Sequence, residues 1–400
     1  MKNIIIFLSV LFLFNNAAKA EIINVTYAGF SFSGNYSDKQ KVGKYTNLLL
    51  KEKNENGVDV VSASLLKEIK KVNAKKFKIN FDYADISKGS EESVVMSVSL
   101  VNEDYSREFE PITKTYLNNI ANSYQILFYD FHSKKLLAAI PFDTELQVYS
   151  KNKLTDSEII SQLRLFYTTG LINTKNSNNE KISVFSKIQD ILNSFELKRK
   201  YRFRIGVTSV IIEDKAIKHI PKKYTKDNSA LKTIFAHQLS SKLSLHNSIA
   251  LVPFAEGMAI GNAMKLAFVN SDTIYDIELP KPDFDIILTI RGFKKMTVAT
   301  SDVRNVYLFG SYTKIQVIQK ELNKTYFDEK IKNASQIEIP NNIENIDNWR
   351  KFYFSTIILF DKFSSNINSL NSKWAKKSLS KDGMHKESFS DLRKVLDKTK

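Results

Sequence analysis

The alternation of apolar and polar positions divides most of the chain into two stretches of similar order. Segments 23–32 and 205–212 alternate as strands do, and each is followed by positions at helical spacing. The first stretch continues through 39–51, 58–61, 62–72 and 77–83, and the second through 229–243, 248–252, 257–268 and 284–293. Both predict the order β-α-β-α-β, about 180 residues apart, so two similar α/β modules are expected at 21–150 and 201–340. Two unrelated α/β domains with the same order are the alternative.

Each module continues into a segment rich in strand patterns. Residues 93–101, 116–128 and 135–142 alternate in the first module, with a turn at 130–133. In the second, residues 306–319 alternate and the chain returns through 326–327. These segments predict antiparallel hairpins appended to one edge of each sheet. The fold class is therefore α/β (α+β).

A helical connector is expected between the modules, at 151–200. Thr155 and Glu158 form a capping-box pattern at the start of one helix, and Gly170 is suited to end it. A polar loop at 173–180 separates it from a second amphipathic helix, 184–195.

A long amphipathic helix is predicted at 341–380, where apolar residues recur at spacings of three and four from Ile346 to Trp374. Its second half carries a narrow seam suited to one partner helix. That partner is either the connector of the same chain or another envelope protein. The candidate partner-binding residues are Phe360, Phe363, Ile367, Leu370 and Trp374. A basic tail is expected at 381–400, and its few aromatic residues argue against nucleic acid as a ligand.

The first twenty residues have the pattern of a secretory signal. Lys2 precedes an apolar run, and Ala18-Lys19-Ala20 matches a cleavage site. The longest later apolar run, 353–360, is too short to span a bilayer. The chain also contains no cysteine, which excludes an anchoring lipid on an N-terminal cysteine, disulfides and thiolate metal sites. We therefore expect a periplasmic protein that is neither a lipoprotein nor membrane-spanning.

The chain is basic, with 59 Lys+Arg against 43 Asp+Glu. Removing Lys2 and Lys19 with the signal lowers the formal net charge from +16 to +14. Such a charge attracts an anionic polymer or membrane surface. The lysines are, however, spread along the whole chain, as they are on ordinary solvated surfaces.

Motifs with catalytic specificity are absent from the sequence: there is no P-loop, G-x-G-x-x-G, H-E-x-x-H or G-x-S-x-G. The five histidines have no spacing that suits a metal site. We therefore predict no catalytic residue, cofactor or metal, and no enzymatic activity. Asp283 and Asp285, which share one face of a strand, are the best candidate acids for an unrecognised hydrolase, with His237.

The order of elements, with segments 124–130 and 248–254, resembles the small α/β domains of periplasmic envelope-assembly proteins. The TolB amino-terminal domain and its CsgG/LpoB-like relatives carry a hairpin turn of the form D-x-x-x-G-K. This chain has Asp130 followed by Ser133-Lys134-Lys135 and lacks the glycine of that pattern. The resemblance implies binding and scaffolding, and it transfers no functional residue.

Three functions follow in order of preference. The first is an exported, non-enzymatic interaction or scaffold protein of the bacterial envelope, with an envelope protein as partner. The second is a basic protein that binds an anionic ligand or cell-envelope polymer. The third is the hydrolase.

Overall fold

The computed structural model describes residues 22–33, 42–82, 93–110, 113–172, 181–255, 259–260, 263–269, 274–341, 347–379 and 385–400. The predicted signal at 1–20 and the polar loop at 173–180 lie outside the described residues. No helix in the described ranges is long and apolar enough to cross a membrane.

Strands and helices alternate only in part. The strands are β1 (Ile23–Ser33), β2 (Phe77–Asn80), β3 (Val94–Glu110), β4 (Thr115–Asp130), β5 (Leu136–Ser150), β6 (Leu171–Ile172), β7 (Lys181–Ile182), β8 (Ile205–Ile212), β9 (Ala259–Ile260), β10 (Ala263–Phe268), β11 (Ile274–Glu278), β12 (Phe284–Thr300), β13 (Arg304–Gln319) and β14 (Lys324–Pro340). The helices are α1 (Lys44–Leu49), α2 (Val60–Ile69), α3 (Asp156–Thr168), α4 (Ser186–Ser194), α5 (Asp214–Ile217), α6 (Lys222–Thr225), α7 (Ser229–Asn247), α8 (Asn348–Asn366), α9 (Ser372–Ser378) and α10 (His385–Thr399).

Two sheets organise the chain. The first has the order β11-β10-β1-β3-β4-β5, with β2 beside the start of β1 and β9 beside β10. The second has the order β14-β13-β12-β8. In each sheet a first strand runs parallel to a long strand, which then continues through two antiparallel hairpins: β1 with β3-β4-β5, and β8 with β12-β13-β14. The mixed α and β content fits the predicted class.

The predicted order β-α-β-α-β is wrong in three segments: 58–61, 257–268 and 248–252. Residues 58–61 lead into α2, whose N-cap is Asp59, instead of forming a strand. Residues 257–268, predicted as a helix, contain β9 and β10. Met264 and Leu266 are buried at a spacing of two, because β10 pairs with β1 on one side and β11 on the other. Segment 248–252 has only an isolated bridge, between Val252 and Gly206.

The hairpins and the connector follow the predicted pattern. Thr155 and Glu158 form both bonds of the capping box at α3, and Gly170 takes a φ of 71° just beyond its end. In the turn between β4 and β5, the Ser133 amide donates to Asp130 Oδ1, and Lys134 takes the left-handed φ of 56°. Helices α3 and α4 contribute Leu163 and Ile188 to the core of the first half, so the connector is part of that half's hydrophobic core.

The predicted C-terminal helix is broken into segments. Helix α8 ends at Asn366, whose side-chain oxygen accepts a hydrogen bond from the Asn371 amide 2.7 Å away. Asn371 in turn caps α9 by accepting from the amides of Lys373 and Trp374. These asparagine side chains compete for backbone hydrogen bonds and end the helix. The predicted basic tail contains α10, which buries Phe389, Leu392, Val395 and Leu396.

The halves meet at a third, smaller core. Apolar residues from both halves contribute to it, namely Val95, Leu127, Tyr129, Leu136 and Ala139 from the first and Val252, Met264, Leu266, Ile277 and Leu279 from the second. Strand β10, although it lies between α7 and β12 in the chain, belongs to the first sheet. The two halves are thus joined through a shared sheet and a shared core.

Candidate functional site: a cleft between the two halves

A cavity of about 430 Å³ lies between the first sheet and the helices of the second half. We call it the cleft. Its sheet side is formed by β3, β4 and β5, its helix side by α6, α7 and α8, and Lys187 of α4 also lines it. Its volume falls within the range of about 300–1,000 Å³ that small-molecule sites occupy.

Strand register places polar residues together on the sheet side. Asn102, Ser123 and Asp143 lie opposite one another across the three strands. In the next row, Asp104 and Glu145 flank Ala121. Because side chains two residues apart share a face of a strand, both rows face the cleft. The sequence gives one signal of this: β3 continues past its buried apolar part with polar residues at every second position, Asn102, Asp104 and Ser106.

Aromatic rings form the opposite wall. Trp349 lies between Tyr224 and Tyr353, with ring centroids 6.2 Å from each. The Tyr224 hydroxyl donates to Asp104 Oδ1 at 3.3 Å, across the cleft. Burial raises the pKa of Tyr353 well above its ordinary value, and the nearby carboxylates of Asp143, Asp104 and Glu145 raise it further. The aromatic wall therefore faces a row of negative charge.

Asp143 is the best-connected acid of the cleft. Its Oδ1 lies 3.3 Å from His237 Nε2 and accepts hydrogen bonds from Gln238 and Ser123 at 3.0 and 3.1 Å. Burial acts to raise the pKa of Asp143, but His237 and further donors outweigh it, and the pKa is lowered. Its Oδ2 is buried without a hydrogen-bond partner among the described residues.

Two further buried groups in the cleft wall have polar atoms without a hydrogen-bond partner among the described residues. Asn119 is 6% exposed, and its Oδ1 accepts no hydrogen bond from the described part of the chain. Arg350, also 6% exposed, has no hydrogen-bond partner for either Nη atom within the described ranges. Its Nη1 lies 3.5 Å from Glu108 Oε2, a carboxylate that Lys351 approaches more closely, at 3.0 Å. A buried polar group without a partner is costly, and such groups are typical of places where water or a ligand binds.

The predicted partner-binding seam lies elsewhere. Phe360, Phe363 and Ile367 are buried in the core of the second half, and Leu370 and Trp374 pack against it. This face of the helix is covered by the same chain, with α10 contributing Phe389 beside Phe363. Partner binding through these residues would require the core to open.

The three groups of the hydrolase hypothesis have separate partners. Asp283 accepts a hydrogen bond from the Arg204 amide, Asp285 pairs with Lys320, and His237 pairs with Asp143. Among the described residues, no group of three or more histidine or acidic side chains could hold a metal ion.

Comparison with known proteins assigns no family. No protein-family model matches the chain, and no curated protein matches it. Among solved structures, the chain is similar to a minor lipoprotein from Acinetobacter baumannii, with 11% identity and a TM-score of 0.18. The alignment covers 43% of this chain and 98% of that protein. A similarity at this level supports no argument about fold or function.

Proposed function

We propose that this protein is a non-enzymatic binding protein of the bacterial envelope, which holds a ligand, or part of a larger partner, in the cleft. One observation carries the proposal: Asn119, Asp143 and Arg350 line a cavity of about 430 Å³, and each has a buried polar atom without a hydrogen-bond partner among the described residues. Ligand groups that pair with these atoms would recover the free energy that their burial costs.

The arrangement around Asp143 favours binding over hydrolysis. In a nucleophilic triad, the histidine stands between the hydroxyl and the carboxylate, so that it can take the hydroxyl proton. Here the carboxylate stands between Ser123 and His237, since both contact Asp143 Oδ1. The His237 imidazole therefore holds the Asp143 carboxylate in place, and we propose no catalytic role for Ser123 or His237.

The envelope location rests on the sequence. The predicted signal and the resemblance to TolB amino-terminal and CsgG/LpoB-like domains both favour it. The long hairpins of the two sheets are suitable surfaces for an envelope protein partner, in keeping with a scaffold role. An anionic polymer is a poorer fit to the cleft, because Asp104, Asp143, Glu145 and Asp347 line it. It would bind at the basic outer surface instead.

Fluorescence provides a direct test, because the chain has two tryptophans and only Trp349 lines the cleft. In a Trp374→Phe variant, Trp349 is the only tryptophan. We expect its emission to change saturably with at least one of four probe classes: amino acids and short peptides, neutral oligosaccharides, phosphorylated sugars, and polyphosphate. The matched Trp349→Phe variant keeps only Trp374 and should show no change.

A second variant separates cleft binding from binding elsewhere. Ala121 lies on the cleft face between Asp104 and Glu145, so Ala121→Trp should fill the cavity. We expect this variant to keep the far-UV circular dichroism of the parent and to lose binding by calorimetry. The proposal is overturned if no probe class binds, or if binding is equally strong in Ala121→Trp.

A further inference from the structure

We infer that the cleft selects a zwitterionic ligand, an amino acid or short peptide with a free ammonium group and a free carboxylate. This inference rests on the proposed function and specifies its ligand class. It is drawn from the separate placement of acceptors and donors around the cavity.

The sheet side of the cleft presents acceptors. Asp104, Asp143 and Glu145 share its face, and the buried Asn119 adds an Oδ1 that accepts no hydrogen bond from the part of the chain that the structure describes. A ligand group placed here must donate several hydrogen bonds and is favoured if it is positive. An ammonium group meets both conditions, since it carries three N–H donors and a full charge.

The aromatic wall supports the same choice. The rings of Tyr224, Trp349 and Tyr353 line the side opposite the carboxylates. Aromatic faces attract cations, tryptophan most strongly, and they also cover apolar side chains. An ammonium group held between this wall and the carboxylates would gain from both.

A donor stands on the helix side, one turn from Tyr353. Arg350 lines the cleft, and its two Nη atoms have no hydrogen-bond partner in the described part of the chain; Nη1 lies 3.5 Å from the Glu108 carboxylate, which Lys351 also approaches. A guanidinium binds a carboxylate through two parallel hydrogen bonds. The carboxylate end of a ligand therefore fits at Arg350.

Ligands of a single charge fit less well. An anion would meet the carboxylates of the sheet side, and a cation would meet Arg350, Lys187 and Lys242, which also line the cleft. A ligand with both charges can place its ammonium group at the carboxylates and its carboxylate at Arg350, so neither charge is repelled.

The test uses the Trp374→Phe variant and a matched set of tripeptides. Trialanine should bind, whereas N-acetyl-trialanine, which lacks the ammonium group, and trialanine amide, which lacks the carboxylate, should each bind at least tenfold more weakly. Free alanine in the same titration distinguishes an amino-acid site from a peptide site. Maltotriose, spermidine and tripolyphosphate serve as the neutral, cationic and anionic alternatives.

Two substitutions assign the ends of the ligand. Arg350→Gln should weaken trialanine about tenfold while leaving trialanine amide unchanged, and Glu145→Gln should weaken trialanine but not N-acetyl-trialanine. Lys373→Gln removes one positive charge from an exposed residue outside the cleft and should alter neither. Binding of maltotriose or of a single-charge probe in preference to trialanine overturns the zwitterion inference and leaves the proposed function standing. Absence of binding by every probe overturns both.

Discussion

His237 Nε2 lies 3.3 Å from Asp143 Oδ1 and joins helix α7 of the second half to strand β5 of the first. Both side chains are largely withdrawn from water. The pair forms one side of the cleft and at the same time connects the two halves. A substitution at either residue is therefore expected to affect the contact between the two halves and, under the proposed function, ligand binding as well.

We expect Asp143→Asn to lower the free energy of unfolding by about 2–3 kcal/mol, because hydrogen bonds to a buried charged group are strong and three donors lose their charged acceptor. Urea unfolding at pH 7 measures the effect. His246 and Asp361 form a similar pair, 2.9 Å apart but with Asp361 half-exposed. Asp361→Asn is the matched control and should cost less than about 1 kcal/mol. Equal losses in the free energy of unfolding for Asp143→Asn and Asp361→Asn would contradict the prediction.

The same carboxylate makes stability depend on pH. The pKa of Asp143 is lowered in the folded chain, so the unfolded state binds its proton first as the pH falls. Its contribution is present in full above the unfolded value of about 4 and is lost as the pH falls below that value toward the folded pKa. Urea titrations between pH 7 and pH 3 should therefore show a shallower loss of stability in Asp143→Asn than in the parent. An unchanged pH dependence would contradict this prediction.

The C-terminal seam gives a packing prediction. Phe363 is 1% exposed and contacts Phe327 and Phe389, so Phe363→Ala should cost about 3–5 kcal/mol. Ile358 lies on the same helix with 39% exposed, and Ile358→Ala should cost no more than about 1 kcal/mol. Thermal unfolding of both variants measures the difference. A mild effect of Phe363→Ala would indicate that the seam is free for a partner.

Replacing each of two glycines with alanine distinguishes the cost of backbone strain from the cost of steric overlap. Gly170 and Gly57 have positive φ values of 71° and 73°. A Cβ at Gly170 would lie 2.9 Å from the backbone carbon of Ile182, whereas one at Gly57 meets nothing within 4 Å. Gly57→Ala should cost about 1 kcal/mol for the left-handed conformation alone, and Gly170→Ala at least 1 kcal/mol more. Chemical denaturation of both variants gives the comparison, and similar losses would contradict it.

A buried tyrosine on the other face of the first sheet should respond to alkali. The Tyr167 hydroxyl contacts Thr46 Oγ1 at 3.0 Å and also the Tyr124 hydroxyl. Burial raises the pKa of Tyr167 well above its ordinary value, so the folded state keeps its proton longer than the unfolded state does. This contribution to stability is present in full below about pH 10 and falls as the pH rises further.

Tyr167→Phe should therefore cost about 1–2 kcal/mol at pH 7 and weaken the loss of stability above pH 10. Urea unfolding at pH 7 and pH 10.5 measures both quantities. Tyr149→Phe, at a position 62% exposed, is the control and should change the free energy by less than about 0.5 kcal/mol. A pH dependence identical to that of the parent would contradict the prediction.

The sequence predicts an element correctly where the residues that specify the element are neighbours in the chain. The capping box at Thr155 and the alternation of 306–319 predict α3 and β13 because neighbouring residues specify both. Segment 263–268 was predicted wrongly because its strand form depends on β1, more than 200 residues away. The periodic pattern ending at Trp374 does not form one helix, because the Asn366 side chain accepts a hydrogen bond just beyond the end of α8 and the Asn371 side chain caps the start of α9, and periodicity does not reveal either bond.

The cleft was not predictable in the same way. Its residues come from three strands and helix α4 of one half and from three helices of the other, so no stretch of sequence contains it. Polar alternation at Asn102 and Asp104 is visible, but it does not reveal that Trp349 lies opposite. Arg350 and Lys351 stand side by side near the start of α8, and nothing in their spacing indicates that Arg350 is the one that is buried.

The pairing of β10 with β1 has a consequence for how the molecule is made. Residues 31–33 find their antiparallel neighbours only at 266–268, so the first sheet stays incomplete during synthesis until most of the chain has emerged. Contacts this distant in sequence slow folding. They also prevent the halves from swinging apart as independent lobes without tearing strands from a sheet. Under the proposed function, a ligand would therefore enter the cleft by movements of side chains and loops, into a geometry largely set before it arrives.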